Sequence, residues 1–258
     1  MTWVDLLLVG LAGVGAGFIN TVVGSGTLIT FPTLLALGVP PVVANVSNTI
    51  GLVPGSFAGA WAMRPELAGQ RRRILRLGPL SLVGGVVGAV LLLRLPASAF
   101  ETIVPVLIGT GCLLVLLQPV LSRRMAARRE RAAAGDGMDA AVGGPWWLGV
   151  GVLGTGVYGG YFGAAQGVLL LGILGTGLDE PLPRVNALKN VLAMLVNGVA
   201  GVVFILVSHV DWPVAAVIAL GSVLGAQLGA RVGRLLPPTG YRVVIVVVGV
   251  TAIVNLLR

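Results

Sequence analysis

Eight apolar runs follow one another along the chain, at residues 3–37, 42–63, 77–95, 99–121, 146–178, 185–208, 212–230 and 241–257. A helix needs roughly 20 apolar residues to cross a hydrocarbon core about 30 Å thick. Six runs fit one crossing each. The runs 3–37 and 146–178 are too long. As straight helices each would extend about 50 Å at ~1.5 Å per residue, more than tilt absorbs. Both carry a small or polar middle, Asn20-Thr21-Val22-Val23-Gly24-Ser25-Gly26-Thr27 in one and Gly159-Gly160-Tyr161-Phe162-Gly163-Ala164-Ala165-Gln166-Gly167 in the other. Glycine supplies the dihedral angles that a chain reversal needs. Each long run therefore reads as two short helices joined at a break.

Arginine positions orient the runs. Arg64, Arg71, Arg72, Arg73 and Arg76 lie between the second and third. Arg123, Arg124, Arg128, Arg129 and Arg131 lie in the connection 122–145, and Arg231, Arg234 and Arg242 between the last two. By the positive-inside rule all three regions face the cytoplasm. Counting crossings back from them makes the run 146–178 a hairpin and starts the run 42–63 outside; with 3–37 read as a matching hairpin, both termini lie outside. The expected architecture is an all-α polytopic integral membrane protein of two inverted repeats, 1–121 and 146–258. Each repeat is a broken hairpin segment followed by three transmembrane helices, and 122–145 is a solvated cytoplasmic linker. Inverted repeats with broken helices are a common plan for secondary transporters, with the site at the repeat interface.

Composition agrees with a membrane protein. Of 258 residues, 56% are hydrophobic and only 10% charged, where a soluble domain carries about a quarter charged. The net charge of +8 is gathered in the loops, as expected beside anionic lipid, so nucleic acid is not an expected partner. One cysteine and one histidine argue against a disulfide framework, a metal site or a Cys/His catalytic pair. The first residues, Met1-Thr2-Trp3-Val4-Asp5, lack the basic stretch of a cleavable signal peptide. Gly154-Thr155-Gly156-Val157-Tyr158-Gly159 has dinucleotide-binding spacing, but it lies in an apolar hairpin without the strand which that motif requires. No P-loop is present, no cofactor is expected, and the chain does not read as an enzyme.

Small residues recur four apart at Gly51/Gly55/Gly59, Gly84/Gly88, Gly156/Gly160 and Gly221/Gly225/Gly229/Gly233. These read as close helix packing. Trp61, Trp146, Trp147 and Trp212 end their runs, as interfacial anchors do.

Polar residues deep in apolar runs are costly and mark function. The candidates for substrate binding are Asn20, Thr27, Asn45, Asn48, Thr49, Gln166, Asn186, Lys189 and Asn190, and Ser25 is a further hydrogen-bonding group in the first break. Asn45–Asn48 and Asn186–Lys189 share an i, i+3 spacing. Lys189 is the one lysine against sixteen arginines. It reads either as a compact ammonium kept for an anion or as a snorkelling anchor near the cytoplasmic edge. The hairpin breaks expose backbone N–H groups at half-helix N-termini, which attract anions.

Several of these stretches resemble a known family. Gly24-Ser25-Gly26-Thr27-Leu28-Ile29-Thr30-Phe31-Pro32-Thr33-Leu34-Leu35 resembles its first glycine-rich motif. Ala44-Asn45-Val46-Ser47-Asn48-Thr49 with Leu52-Val53-Pro54-Gly55-Ser56-Phe57-Ala58-Gly59 resembles its second signature. Arg64-Pro65-Glu66-Leu67 is similar to the following loop, and Val185-Asn186-Ala187-Leu188-Lys189-Asn190 to the counterpart in the second repeat. The family is the TauE/SafE sulfite exporter family, and the likeness runs from about residue 11 to 256. The second glycine motif departs from it, reading Gly163-Ala164-Ala165-Gln166-Gly167. The resemblance implies a multi-pass permease of the bacterial inner membrane for sulfite, sulfonate or related organosulfur anions. A non-transporting membrane subunit of a larger complex and an anion channel are the alternatives. The expected partners are the lipid bilayer and a small anion, with a homo-oligomer left open.

Overall fold

A computed structural model describes residues 2–131, 145–233 and 238–256. Its helices are α1 (Trp3–Val22), α2 (Thr27–Ala36), α3 (Pro41–Ala62), α4 (Arg71–Arg94), α5 (Ala97–Arg131), α6 (Trp146–Tyr161), α7 (Gln166–Gly177), α8 (Leu182–Val207), α9 (Trp212–Val232) and α10 (Pro238–Leu256). A short 3₁₀ turn at Arg64–Leu67 follows α3, and the described residues contain no strand. Both long apolar runs are broken, as their length and glycines demand, so each half has two helices from its broken run followed by three more; α1, at 20 residues, is longer than the short helix expected there.

Among the described residues, five helices are long and apolar enough to cross a membrane: α1, α4, the Ala97–Val120 part of α5, α8 and α9. α3 is 22 residues long but less apolar, because it buries Asn45, Ser47, Asn48, Thr49 and Ser56. Three boundaries differ from the sequence expectation. Arg71, Arg72, Arg73 and Arg76 are not in a loop but begin α4. Arginine is a good helix former, so the helix continues beyond its apolar part. α8 likewise begins before the apolar run, and Arg184 lies in its first turn. α5 runs on past residue 121 through Arg131, so the first part of the expected linker is helical; 132–144 lies outside the described residues.

Local chemistry starts several helices. Thr2 and Asp5 form a reciprocal capping box on α1, with Thr2 N donating to Asp5 Oδ2 at 2.6 Å. Asp211 caps α9 by accepting from Val214 N at 3.1 Å. Prolines open α3 and α8, where a missing N–H costs nothing.

Packing relates the halves. α1 lies along α9 and α6 along α4; α3 lies on α9 and α8 on α4; α2 meets α10 and α7 meets α5; α3 faces α8, and α5 faces α10. Exchanging the first five helices with the last five maps these neighbours onto themselves. The glycine stripes make the closest approaches. Gly13 and Gly17 of α1 lie on Gly221 and Ser222 of α9, and Gly84 and Gly88 of α4 on Gly156, Val157 and Gly160 of α6. α1 and α9 run in the same direction, whereas α3 and α8 run in opposite directions. Asn197 bonds Ser56 at 3.2 Å, and Asn190 reaches Met63 at 3.1 Å.

The bundle has an arginine-rich end. There the connection after α3 meets the first turn of α8: Gln70 Nε2 donates to Arg184 O at 3.0 Å and Arg184 Nη2 to Ala68 O at 2.9 Å. Glu180 joins Arg73 at 2.5 Å and Arg184 at 2.5 Å. Burial pushes the Glu180 carboxyl up, but hydrogen bonds and charge from Arg73 and Arg184 outweigh it and hold the group below the usual glutamate range.

Candidate functional site

The two breaks repeat one backbone plan. In the first, Val23 N and Gly24 N both donate to Ile19 O, at 2.7 and 3.0 Å, and Gly24 turns to φ +88. In the second, Phe162 N and Gly163 N both donate to Tyr158 O, at 3.0 and 3.1 Å, and Gly163 turns to φ +75. A left-handed turn there ends the first helix and lets the second start three residues on. The breaks then meet each other. Gly167 N donates to Gly24 O at 2.9 Å, and a Cβ on either glycine would run into the other's backbone. The N-terminal ends of α2 and α7, the positive ends of their dipoles, thus share one junction. Phe162 packs edge-on against Phe31 at 5.0 Å, with Phe100 beside both, and Tyr158 Oη donates to Ala164 O at 2.5 Å.

α3 and α8 close around this junction. From α3, Asn45 Nδ2 donates to Tyr161 O at 2.9 Å, at the end of α6. Asn48 Nδ2 donates to Thr27 Oγ1 at 3.2 Å and its Oδ1 accepts from Thr30 Oγ1, tying down the first turn of α2. From α8, Lys189 Nζ donates to Asn20 O at 3.0 Å and Thr21 O at 3.4 Å, at the end of α1. Asn186 and Asn190 donate to the same Thr21 O at 3.2 and 3.3 Å and lie against Met63 Sδ. Asn20 Nδ2 donates to Ser56 Oγ at 3.3 Å.

Of the nine sequence candidates, Asn20, Thr27, Asn45, Asn48, Asn186, Lys189 and Asn190 are tied in this way to the ends of α1, α2 and α6. Gln166 sits at the start of α7 with its carboxamide packed on Gly159. Thr49 is buried in α3 and bonded to none of the others. The site also uses groups that side-chain reading does not expose: the carbonyls of Asn20, Thr21 and Tyr161, and the Tyr158 brace. Backbone carbonyls leave no mark in a sequence. Tyr158 could have been suspected as a phenol inside a glycine-rich apolar run, where its hydroxyl must find a partner.

Lys189 is 0% exposed, so it does not snorkel to the surface. It rests on the carbonyl end of α1, where the helix dipole is negative. Its contacts are the two backbone carbonyls of Asn20 and Thr21, and no carboxylate among the described residues pairs with this ammonium. Four polar atoms nearby in the chain fold are buried without a partner: Ser25 Oγ, Asn45 Oδ1, Gln166 Nε2 and Asn186 Oδ1. Two of them, a hydroxyl and an amide N–H, are donors that an anion's oxygens could satisfy. No group of three His, Cys, Asp or Glu among the described residues could hold a metal ion.

Residues 9–256 match the family described as Sulfite exporter TauE/SafE. The chain belongs to that family. It is 28% identical over 232 residues to a probable membrane transporter protein of Haemophilus influenzae, covering 88% of this chain and 85% of the relative. It is 29% identical over 217 residues to the probable membrane transporter protein YfcA of Escherichia coli K12, covering 84% and 76%. It is 27% identical over 246 residues to the probable membrane transporter protein ORF9 of a Sinorhizobium species, covering 94% and 88%. No solved structure matches it significantly. As a TauE/SafE protein with five helices of membrane-crossing length and composition, it is a multi-pass membrane transporter.

Proposed function

We propose that this TauE/SafE protein is a secondary permease of the bacterial inner membrane for small oxyanions such as sulfite or a sulfonate. One observation carries the reading: a fully buried ammonium, Lys189, without a carboxylate partner among the described residues, beside the junction of two helix breaks. Burying an unbalanced charge costs several kcal/mol, and an anion bound at the junction would offset that cost. The helix N-termini of α2 and α7 add partial positive charge, and the uncommitted donors of Ser25 and Gln166 suit oxygens. The substrate undergoes no covalent change.

The halves act as inverted repeats. α3 and α8, their third helices, run antiparallel, and the neighbour relations survive exchange of the halves. Rocking of one half against the other about the junction would expose the anion to each side in turn. The arginine-rich end faces the cytoplasm and both termini face outward. The Glu180 clasp at that end, bonded to Arg73 and Arg184, has to open when the site opens inward.

Purified protein reconstituted alone in liposomes tests the reading. Saturable sulfite flux with counterflow is expected. Flux without saturation or counterflow means a channel, and no flux of sulfite or of a panel of sulfonates means a non-transporting subunit.

A further inference from the structure

A second feature lies on the outer flank of the bundle, away from the break junction. A cavity of about 640 Å³ opens between α3 and α9 at the arginine-rich end, lined chiefly by Phe57, Ala58, Trp61, Arg64, Gln227 and Arg231. It does not belong to the transport site. The faces of α3 and α9 that carry Gly55, Gly59, Gly225 and Gly229 are turned toward each other and toward α1, whereas Phe57 and Trp61 are 58% and 60% exposed.

Each wall carries the same gradient. On α3, positions 54, 57 and 61 share one face, because residues three and four apart lie over one another; they read Pro54, Phe57 and Trp61, and Arg64 follows in the 3₁₀ turn after α3. On α9, positions 220, 224, 227 and 231 do the same and read Leu220, Leu224, Gln227, Arg231. α3 and α9 run in parallel, since Gly51 lies against Ile218 and Gly55 against Ser222. Both stripes therefore pass from apolar through amphipathic to cationic in the same direction. Trp61 stacks on Phe57 at 6.2 Å, and the Arg64 guanidinium lies 4.9 Å above the Trp61 ring. That contact holds Arg64 at the mouth. Neither Arg64 nor Arg231 has a carboxylate partner among the described residues.

We infer that this groove binds the phosphate of an anionic glycerophospholipid, with its acyl chain along Leu220, Leu224 and Phe57. The two guanidiniums match phosphate geometry. The tryptophan sits where aromatic belts sit, at headgroup level. A freely dissolved anion would gain nothing from the apolar half of the groove. A second copy of this strongly basic chain would bring like charge to it. Basic pockets between membrane helices are known to favour anionic headgroups.

Native mass spectrometry of the delipidated full-length protein, titrated in micelles with phosphatidylglycerol or phosphatidylcholine, tests the inference. The wild type should retain phosphatidylglycerol at least tenfold more tightly than phosphatidylcholine. Arg64→Gln with Arg231→Gln should lose that preference, each single variant should lose part of it, and Arg64→Lys with Arg231→Lys should keep a share. Arg94→Gln, on an exposed arginine at the far end of α4, should leave it unchanged. Elution volume and anion flux of the variants report folding. Equal retention by the wild type and the double Gln variant would overturn the inference. So would displacement of the lipid by millimolar inorganic phosphate, or a dimer split by Trp61→Ala with lipid retention unaltered.

Discussion

Asn45 and Asn48 of α3 occupy the places that Asn186 and Lys189 occupy in α8, yet the two helices use them differently. Asn45 and Asn186 do the same work: each donates to a carbonyl at the end of the other half's first helix, Tyr161 O and Thr21 O. The next pair diverges. Asn48 stays within its own half, holding Thr27 and Thr30 at the start of α2. Lys189 crosses to the other half and grips Asn20 and Thr21. Neutral ties thus hold both halves, and a fixed charge is added on one side only. A second ammonium at position 48 would set two like charges in the same buried region.

The breaks show a second asymmetry within a shared plan. Ala165 occupies the place of Gly26, but Ala165 is left-handed at φ +61, whereas Gly26 has ordinary helical angles. Gly26 is needed for space, since a Cβ there would strike the carbonyl of Ala16. Ala165 instead carries strain, braced by burial and by the neighbouring Tyr158 bond to Ala164. The loops before the third helices differ too: the second carries the Glu180 clasp, and the first, at Gly38-Val39-Pro40, carries no charge.

The largest effect is expected where the halves touch. Gly24→Ala and Gly167→Ala each push a Cβ into the facing backbone. Overpacking alone costs about 1–3 kcal/mol, and backbone cannot step aside as a side chain can. Both variants should lose monodisperse protein on size exclusion or, if folded, lose flux. A tolerated Gly167→Ala would mean that the breaks part in the working protein.

Next comes the charged member of the unequal pair. Lys189→Gln should weaken anion binding at least tenfold, about 1.4 kcal/mol, with normal membrane insertion. Lys189→Arg should restore only part, because its planar fork is larger than an ammonium. Asn48→Ala should instead lower the unfolding midpoint through the lost Thr27 and Thr30 ties, with anion affinity changed less than in Lys189→Gln. Equal affinity in wild type and Lys189→Gln would erase the distinction between α3 and α8.

The clasp should matter less. Glu180 is held below its ordinary value near 4.5. A carboxylate so depressed stabilises the fold above that ordinary value, and the contribution fades as pH falls through the lower folded-state value. Glu180→Gln should cost about 1–2 kcal/mol at neutral pH, between the exposed and buried ion-pair cases. The gap between wild type and variant in thermal unfolding should begin to close as pH drops past about 4.5 and vanish well below it. A gap that persists in acid would show that packing, not charge, holds that end.

Smallest is the strained alanine. Ala165→Gly should release the left-handed penalty and raise stability by up to about 1 kcal/mol, part of it returned to the unfolded chain's greater freedom. A lower unfolding midpoint would mean that the buried methyl contributes more than the strain.

Run length and glycine position are local properties, so the sequence alone determined the membrane class, both helix breaks and the glycine packing stripes, while the burial of Lys189, which the sequence left open, was decided by the fold. A helix too long for the bilayer must break, and it breaks where glycine removes the steric bar. Helix ends were less legible: α4 starts at Arg71 and α5 runs to Arg131, because arginine continues a helix as readily as it forms a polar loop. What Lys189 touches was decided by the tertiary structure. Its acceptors are the carbonyls of Asn20 and Thr21, far away in the chain, and every residue carries the same carbonyl. The meeting of Gly24 with Gly167 and the bond from Asn45 to Tyr161 O have the same origin. They exist because two halves fold against each other, and no local pattern encodes which backbone atoms that brings together.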